Sequence, residues 1–269
     1  MTAATESREA DFPLVDAYLR RLGWVERPPA SAGTLRALQR AHLERVPFEN
    51  LDIQLGIPIE LDARAFAERI ALSGRGGFCY QLNGAFAYLL AGLGFAVELL
   101  EARVHGPGRL GGRFGHLCLR VRIDGSERLA DVGFGRGGFD EPIAIAPGIA
   151  QPDTAGVFRL VPLENGALDM LCDEVPEYRV SLDARRLEDF EPGCRFHQTS
   201  PDSPFTRASV CTIRTPDGRV TLAGTHLIET TAAGRSERDL ERAALGEVLA
   251  TRFGIALDDA ALEALNPRA

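Results

Sequence analysis

The sequence predicts a multidomain α+β chain of three parts: helices over residues 1–95, a sheet over 96–205 and a mixed α/β unit over 206–269. Three observations carry this. Up to Gly94 the apolar residues recur at three- and four-residue intervals, the helical spacing. From about Ala96 short alternating runs take over, the clearest being 116–123 and 126–132, joined by Asp124-Gly125. Near the end a further turn signal, Thr215-Pro216-Asp217-Gly218, precedes a helical period.

In chain order, Leu14, Val15, Tyr18, Leu19 and Leu22 make the apolar face of a first helix, which stops at Gly23. Thr34 is the N-cap expected for a second, with Leu35, Leu38 and Leu43 inward. It ends before Pro47, because the residue preceding a proline is pushed out of the α region. Asp62 caps a third helix carrying Phe66 and Ile70. The fourth starts at Cys79 after the break at Gly76-Gly77, buries Leu82, Phe86, Leu89, Leu90 and Leu93, and stops near Gly92 or Gly94. Glu49 and Arg75 are expected to pair near its start.

Cys79 therefore lies in the first turn of a helix, where free N–H groups and the positive dipole end favour a thiolate. That is the environment of a cysteine nucleophile. The alternative reading of Cys79 alone is a small buried hydrophobe.

The Asp-Gly hairpin supplies the other half of the argument. With Asp124 and Gly125 as the loop, Ile123 faces Ser126 and pairing runs outward. His116 and Asp131 then share a face as diagonal neighbours, roughly 7–8 Å apart at the backbone, within reach of an imidazole–carboxylate bond. A thiol needs a base, and the base needs a carboxylate to fix its tautomer and stabilise its cation. Cys79, His116 and Asp131 are the three types required.

The rest is less informative. Residues 106–112 read as a flexible loop, and 151–200 is proline-punctuated with one strand at 177–182. Strands at 208–214 and 219–222 flank the later turn. Ser236-x-x-Asp239 fits a capping box opening a helix that buries Leu240, Ala244, Leu245, Val248 and Leu249 and ends near Phe253. Gly133-Phe134-Gly135-Arg136-Gly137-Gly138 matches G-x-G-x-x-G, but Pro142 and the absence of a helical period after it reject a dinucleotide-binding reading.

Composition narrows the class. The net charge of −8 leaves no whole-chain basic footprint, so nucleic acid is not an expected partner. Every basic residue other than histidine is arginine. No apolar run approaches the length of a membrane span, and the first residues are polar and acidic, unlike a signal peptide. The five scattered cysteines contain no CxxC pair, so no zinc site is expected and a reducing cytoplasm is the expected location. His42, His105 and His226 lack metal-ligand spacing.

The chain resembles an arylamine N-acetyltransferase. The resemblance rests on Val46-Pro47-Phe48-Glu49-Asn50-Leu51, Arg75-Gly76-Gly77-Phe78-Cys79 with Asn83, His116-Leu117, and Asp131-Val132-Gly133-Phe134-Gly135, with a later match at His197-Gln198-Thr199-Ser200-Pro201 and Phe205. It implies a helical first domain, a β-barrel-like second domain, an α/β lid, and a catalytic core like that of cysteine proteases and transglutaminases. Its Cys-His-Asp triad falls on Cys79, His116 and Asp131, the same three residues. It further implies acetyl-CoA as donor, an arylamine, arylhydroxylamine or hydrazine as acceptor, and a ping-pong route through acetyl-Cys79. Phe48, Phe134 and Phe205 would line the acceptor pocket, with Gly135 and Arg136 toward CoA. A macrolactam-closing amide synthase of the same fold remains open, as does, more distantly, a cysteine hydrolase or transglutaminase-like enzyme.

Overall fold

The computed structural model describes residues 11–265; the polar run before Asp11 lies outside them. Helix α1 (Phe12–Arg21) is capped by Asp11 and buries Leu14, Val15, Tyr18 and Leu19. Helix α2 (Ala32–Arg45) is capped by Ser31, whose side chain accepts from the Thr34 N–H. Ser31, not Thr34, is thus the cap, and Thr34 has moved inside the first turn. After Pro47 comes β1 (Phe48–Glu49), then the short α3 (Leu51–Gln54), both beyond the reach of periodicity because they are two and four residues long. Asp62 caps α4 (Ala63–Ser73) as expected.

Helix α5 (Cys79–Gly92) begins at the cysteine and is buried on nearly every side. A helix apolar all round belongs at the centre of a core. Around it pack α1, α2 and α4 and one face of the main sheet.

That sheet holds β2 (Ala96–Gly106), β3 (Arg109–Leu110), β4 (His116–Ile123), β5 (Ser126–Ala130), β6 (Ile143–Ala144), β7 (Gln151–Asp153), β8 (Gly156–Pro162), β9 (Leu168–Cys172) and β10 (Val175–Arg185). Strand β3 folds back on β2, so the stretch expected as a flexible loop is partly laddered. The proline-rich stretch after 151 forms four strands rather than one, because Pro152, Pro162 and Pro176 lie at or near strand ends where a missing N–H is tolerated. The path runs β6-β5-β4-β2-β10-β9-β8-β7. Its two end strands meet through Gln151, which accepts from the Ala144 N–H at 2.6 Å and donates to the Ala144 carbonyl at 2.9 Å. The side-chain amide stands in for a ladder and leaves the sheet nearly closed, like a barrel.

Period-two alternation decides what each face does. On β4, Leu117, Leu119 and Val121 face the helices, while Cys118 faces the barrel interior with Leu100, Phe158 and Tyr178. His116, two residues before Cys118, shares that inner face.

After a 3₁₀ turn at Leu187–Phe190 come α6 (Glu191–Thr199) and α7 (Pro204–Arg207). A second sheet follows: β11 (Val210–Thr215), β12 (Gly218–Ala223), β13 (His226–Thr231) and β14 (Gly234–Asp239). Strand β1 joins its edge, pairing Phe48 with Thr212, so the helical region contributes a strand to the carboxy-terminal sheet. Cys211, Ile213, Val220 and Leu222 face α8 (Leu245–Phe253), and α9 (Asp259–Ala264) ends the described chain.

Ser236–Asp239 is strand, not a helix cap. Thr231 pairs with Gly234 across a tight turn, and the ladder runs on to His226–Asp239. His226 then bonds Glu237 at 2.8 Å and Asp239 at 2.9 Å. Cross-strand pairing of this kind overrides a four-residue local pattern, and helix α8 starts only at Leu245.

Candidate active site

The start of α5 is built by glycine. A Cβ on Gly76 would lie 1.8 Å from the Pro47 carbonyl oxygen, and one on Gly77 2.4 Å from Gln81 Oε1. Gln81 Oε1 accepts from the Phe78 N–H at 3.2 Å, closing the first turn from behind. Cys79 is 3 % exposed, and the first-turn N–H groups around it have no partner within the helix.

The turn Asp124-Gly125 pairs Ile123 with Ser126, and regular pairing continues to Leu119–Ala130. Beyond it the strands part, and His116 Nε2 meets Asp131 Oδ2 at 2.7 Å. The other Asp131 oxygen accepts from Asn83 Nδ2 and from the Gly133 N–H, both at 2.9 Å. Asn83, one turn along α5 from Cys79, also donates to the Leu117 carbonyl at 2.7 Å and accepts from the Val132 N–H at 3.0 Å. One buried amide thus ties the cysteine's helix to both strands of the hairpin. Gln39 of α2 adds a support, accepting from the Asp131 N–H at 3.2 Å.

Burial alone would disfavour an imidazolium at His116. The Asp131 carboxylate reverses this, with a further contribution from the Cys79 side chain beside the ring, and raises His116 to about 10. With Nε2 committed to Asp131, Nδ1 is the nitrogen left for the sulfur. His197, from α6, goes the other way. Burial holds it below the usual histidine range against the Gly115 carbonyl, which accepts from its Nε2 at 3.1 Å, and His116 pushes it down further.

Cys79 and His116 open onto a cavity of about 480 Å³, whose walls include Phe48, Phe134, Phe205, Gly135 and Arg136. The structure therefore brings together every site residue expected from the sequence, with Asp131 behind His116. Phe134 stands edge-on to His116 at 5.4 Å, and Phe205 packs against Phe48 at 5.8 Å and His197 at 5.1 Å. Asn50 and Gln54 hold the Phe205 carbonyl at 2.9 and 2.5 Å, which fixes that wall. Gly135, at φ 77°, leaves room for Phe48, whose ring would lie 3.0 Å from a Cβ there. Arg136 is half exposed and bound to Glu177 at 2.9 Å.

Several contributors had no local signal. Thr212, Thr221 and Val210 line the same cavity from the second sheet, and the Tyr178 ring lies tilted against His116 at 5.3 Å from inside the barrel. Each arrives through a long-range pairing. Among the described residues no three His, Cys, Asp or Glu side chains are grouped to hold a metal ion, and no helix is long and apolar enough to cross a membrane.

Known proteins resemble this chain over most of its length. Residues 31–262 match the family model described as N-acetyltransferase. The arylamine N-acetyltransferase of Mycolicibacterium smegmatis is 34 % identical over 261 residues, covering 91 % of this chain and 92 % of that protein. The arylamine N-acetyltransferase structure from Salmonella typhimurium superposes with a TM-score of 0.87 at 29 % identity, covering 94 % of this chain and 97 % of its own. That of Mycobacterium marinum in complex with CoA gives 0.85 at 30 % identity, over 93 % and 97 %.

Proposed function

Because the chain belongs to the arylamine N-acetyltransferase family of acyltransferases, we propose that it moves an acetyl group from acetyl-CoA to an arylamine, arylhydroxylamine or hydrazine through an acetyl-Cys79 intermediate. The observation that carries this reading is the convergence of Cys79 with the His116–Asp131 pair at the base of one aromatic cavity.

The steps balance. Cys79 thiolate attacks the thioester carbon, and the tetrahedral oxyanion is met by the Cys79 backbone N–H at the positive end of α5. The C–S bond to CoA breaks, and His116 imidazolium gives its proton to the departing thiolate. His116 is then neutral. The amine nitrogen attacks acetyl-Cys79, its proton passes to His116, and the collapsing intermediate releases the amide and restores thiolate and imidazolium. Asp131 keeps Nε2 occupied throughout, so that Nδ1 alone shuttles the proton. Phe48, Phe134 and Phe205 offer aromatic faces and edges to an aryl acceptor, and we assign the loop of Gly135 and Arg136 to the donor.

Initial rates over a grid of acetyl-CoA and arylamine concentrations test this. Parallel double-reciprocal lines, CoA release that depends on the amine, and an inactive Cys79→Ala variant are expected. Steady CoA release without amine would instead indicate a hydrolase.

A further inference from the structure

One wall of the cavity is the face of the second sheet turned away from α8. Thr212 and Thr221 are cross-strand partners there, with hydroxyl oxygens 2.8 Å apart. Arg219, two residues before Thr221 and on the same face, donates Nη1–H to Thr212 Oγ1 at 3.0 Å and to the Gly135 carbonyl at 2.6 Å. A guanidinium has donors only, so both bonds run outward from it.

The direction of the next bond follows from burial. Thr212 is 4 % exposed, and Thr221 is the one acceptor that the described residues offer to its hydrogen. Leaving that hydrogen unpaired would carry the cost of a buried unsatisfied donor. Thr212 therefore accepts from Arg219 and donates to Thr221, and Thr221, half-buried on the cavity wall, keeps its own hydrogen for whatever enters. Charge reinforces the relay. No carboxylate of the described residues lies within ion-pair distance of Arg219, whereas its cross-strand neighbour Arg214 is paired with Asp140 at 2.6 Å. Burial, and then Arg214, pull Arg219 down to about 10 against the opposing Asp140, so it still carries its charge at neutral pH.

We propose that the Thr221 hydroxyl, backed by Thr212 and Arg219, is a hydrogen-bond-donor subsite that recognises an accepting oxygen on a bound reactant. Two sources carry that chemistry: an oxygen substituent such as a carboxylate on the amine's ring, or an amide carbonyl in the arm of the acyl donor. The inference rests on the acetyl-transfer reading above.

The test compares Thr221→Val, which keeps the shape and removes the hydroxyl, with wild type. The acceptor arm measures the ratio of kcat/KM for 4-aminobenzoate over aniline. The donor arm measures the ratio of Cys79 acylation rates with acetyl-CoA over p-nitrophenyl acetate, which has no amide-bearing arm. One ratio is expected to fall roughly tenfold, as the loss of a hydrogen bond relayed from a buried guanidinium gives, and which one falls identifies the source. Thr221→Ser is expected to restore it, and Thr212→Val to lower it in the same direction. Neither ratio moving beyond about twofold, in a Thr221→Val protein that melts as wild type does, would overturn the subsite. Failure of wild-type Cys79 to acylate with either donor would instead overturn the acetyl-transfer reading.

Discussion

The Tyr80 hydroxyl donates to the Phe114 carbonyl oxygen at 2.6 Å, joining the residue after Cys79 to the turn that launches the His116 strand. Phe114 holds φ at 55°, in the left-handed region, where a bulky side chain costs about 1–3 kcal/mol. Three other contacts hold it there. Its N–H donates to Glu101 at 3.1 Å, its ring meets Phe190 edge-on at 5.5 Å, and Gly193 passes so close that a Cβ would lie 2.1 Å from its carbonyl oxygen. Strain over-determined in this way, two residues before His116, aims the imidazole at the start of α5.

Tyr80→Phe removes that bond and leaves a shielded carbonyl without its donor. A stability loss of about 1–3 kcal/mol is expected, together with slower Cys79 alkylation by iodoacetamide at neutral pH. Thermal melts and alkylation rates check the two effects separately.

The pH dependence of stability has a definite sign. His116 is held up to about 10 in the fold and titrates near 6.5 when exposed. Its contribution is therefore fully present below about pH 6.5 and lost as the pH rises through about 10. The difference in Tm between wild type and His116→Gln should be largest at pH 6 and shrink steadily toward pH 10. A difference that grows across that range would contradict the raised histidine.

Glu49, Asp52, Arg69 and Arg75 form a closed set of two anions and two cations beneath the α5 start. Arg75 meets Glu49 at 2.8 Å and Asp52 at 3.0 Å, and Arg69 meets them at 2.9 and 2.7 Å. The Glu49 side chain is fully buried, so Arg75→Ala leaves buried negative charge short of a partner. A loss of about 3 kcal/mol is expected, or a Tm lower by about 6–12 °C, read by differential scanning calorimetry.

Gly133 lies against the backbone of α5. A Cβ there would come within 2.8 Å of Cys79 Cα and 2.7 Å of Asn83 Nδ2. Gly133→Ala should push the Asp131 loop off the helix and cut kcat/KM by at least about a hundredfold, since misplacement by an ångström is enough. Stopped-flow acylation checks this, and near-wild-type activity would refute the close-packing account.

Legibility in the sequence followed the range of each interaction. The Asp124-Gly125 turn fixes a local register, so the meeting of His116 with Asp131, fifteen positions apart, was readable locally. The α5 start was readable because glycines and apolar spacing mark it on both sides. Thr212 and Thr221, with Arg219 behind Thr212, were not, because that wall joins the cavity only through the pairing of β1 with β11. The Ser236–Asp239 pattern misled, since its Ser and Asp serve an exposed edge strand, where charged residues keep other strands from adding on. Asn50 and Gln54 gave no hint that their amides would converge on a carbonyl more than 150 residues away.

The most direct test is intact-mass measurement of the protein after exposure to acetyl-CoA without any amine. One acetyl increment is predicted, mapping to Cys79, absent from Cys79→Ala and discharged on adding an arylamine. An unmodified Cys79 under these conditions, or acetyl that stays on the protein when the amine is supplied, would contradict acyl transfer through this cysteine.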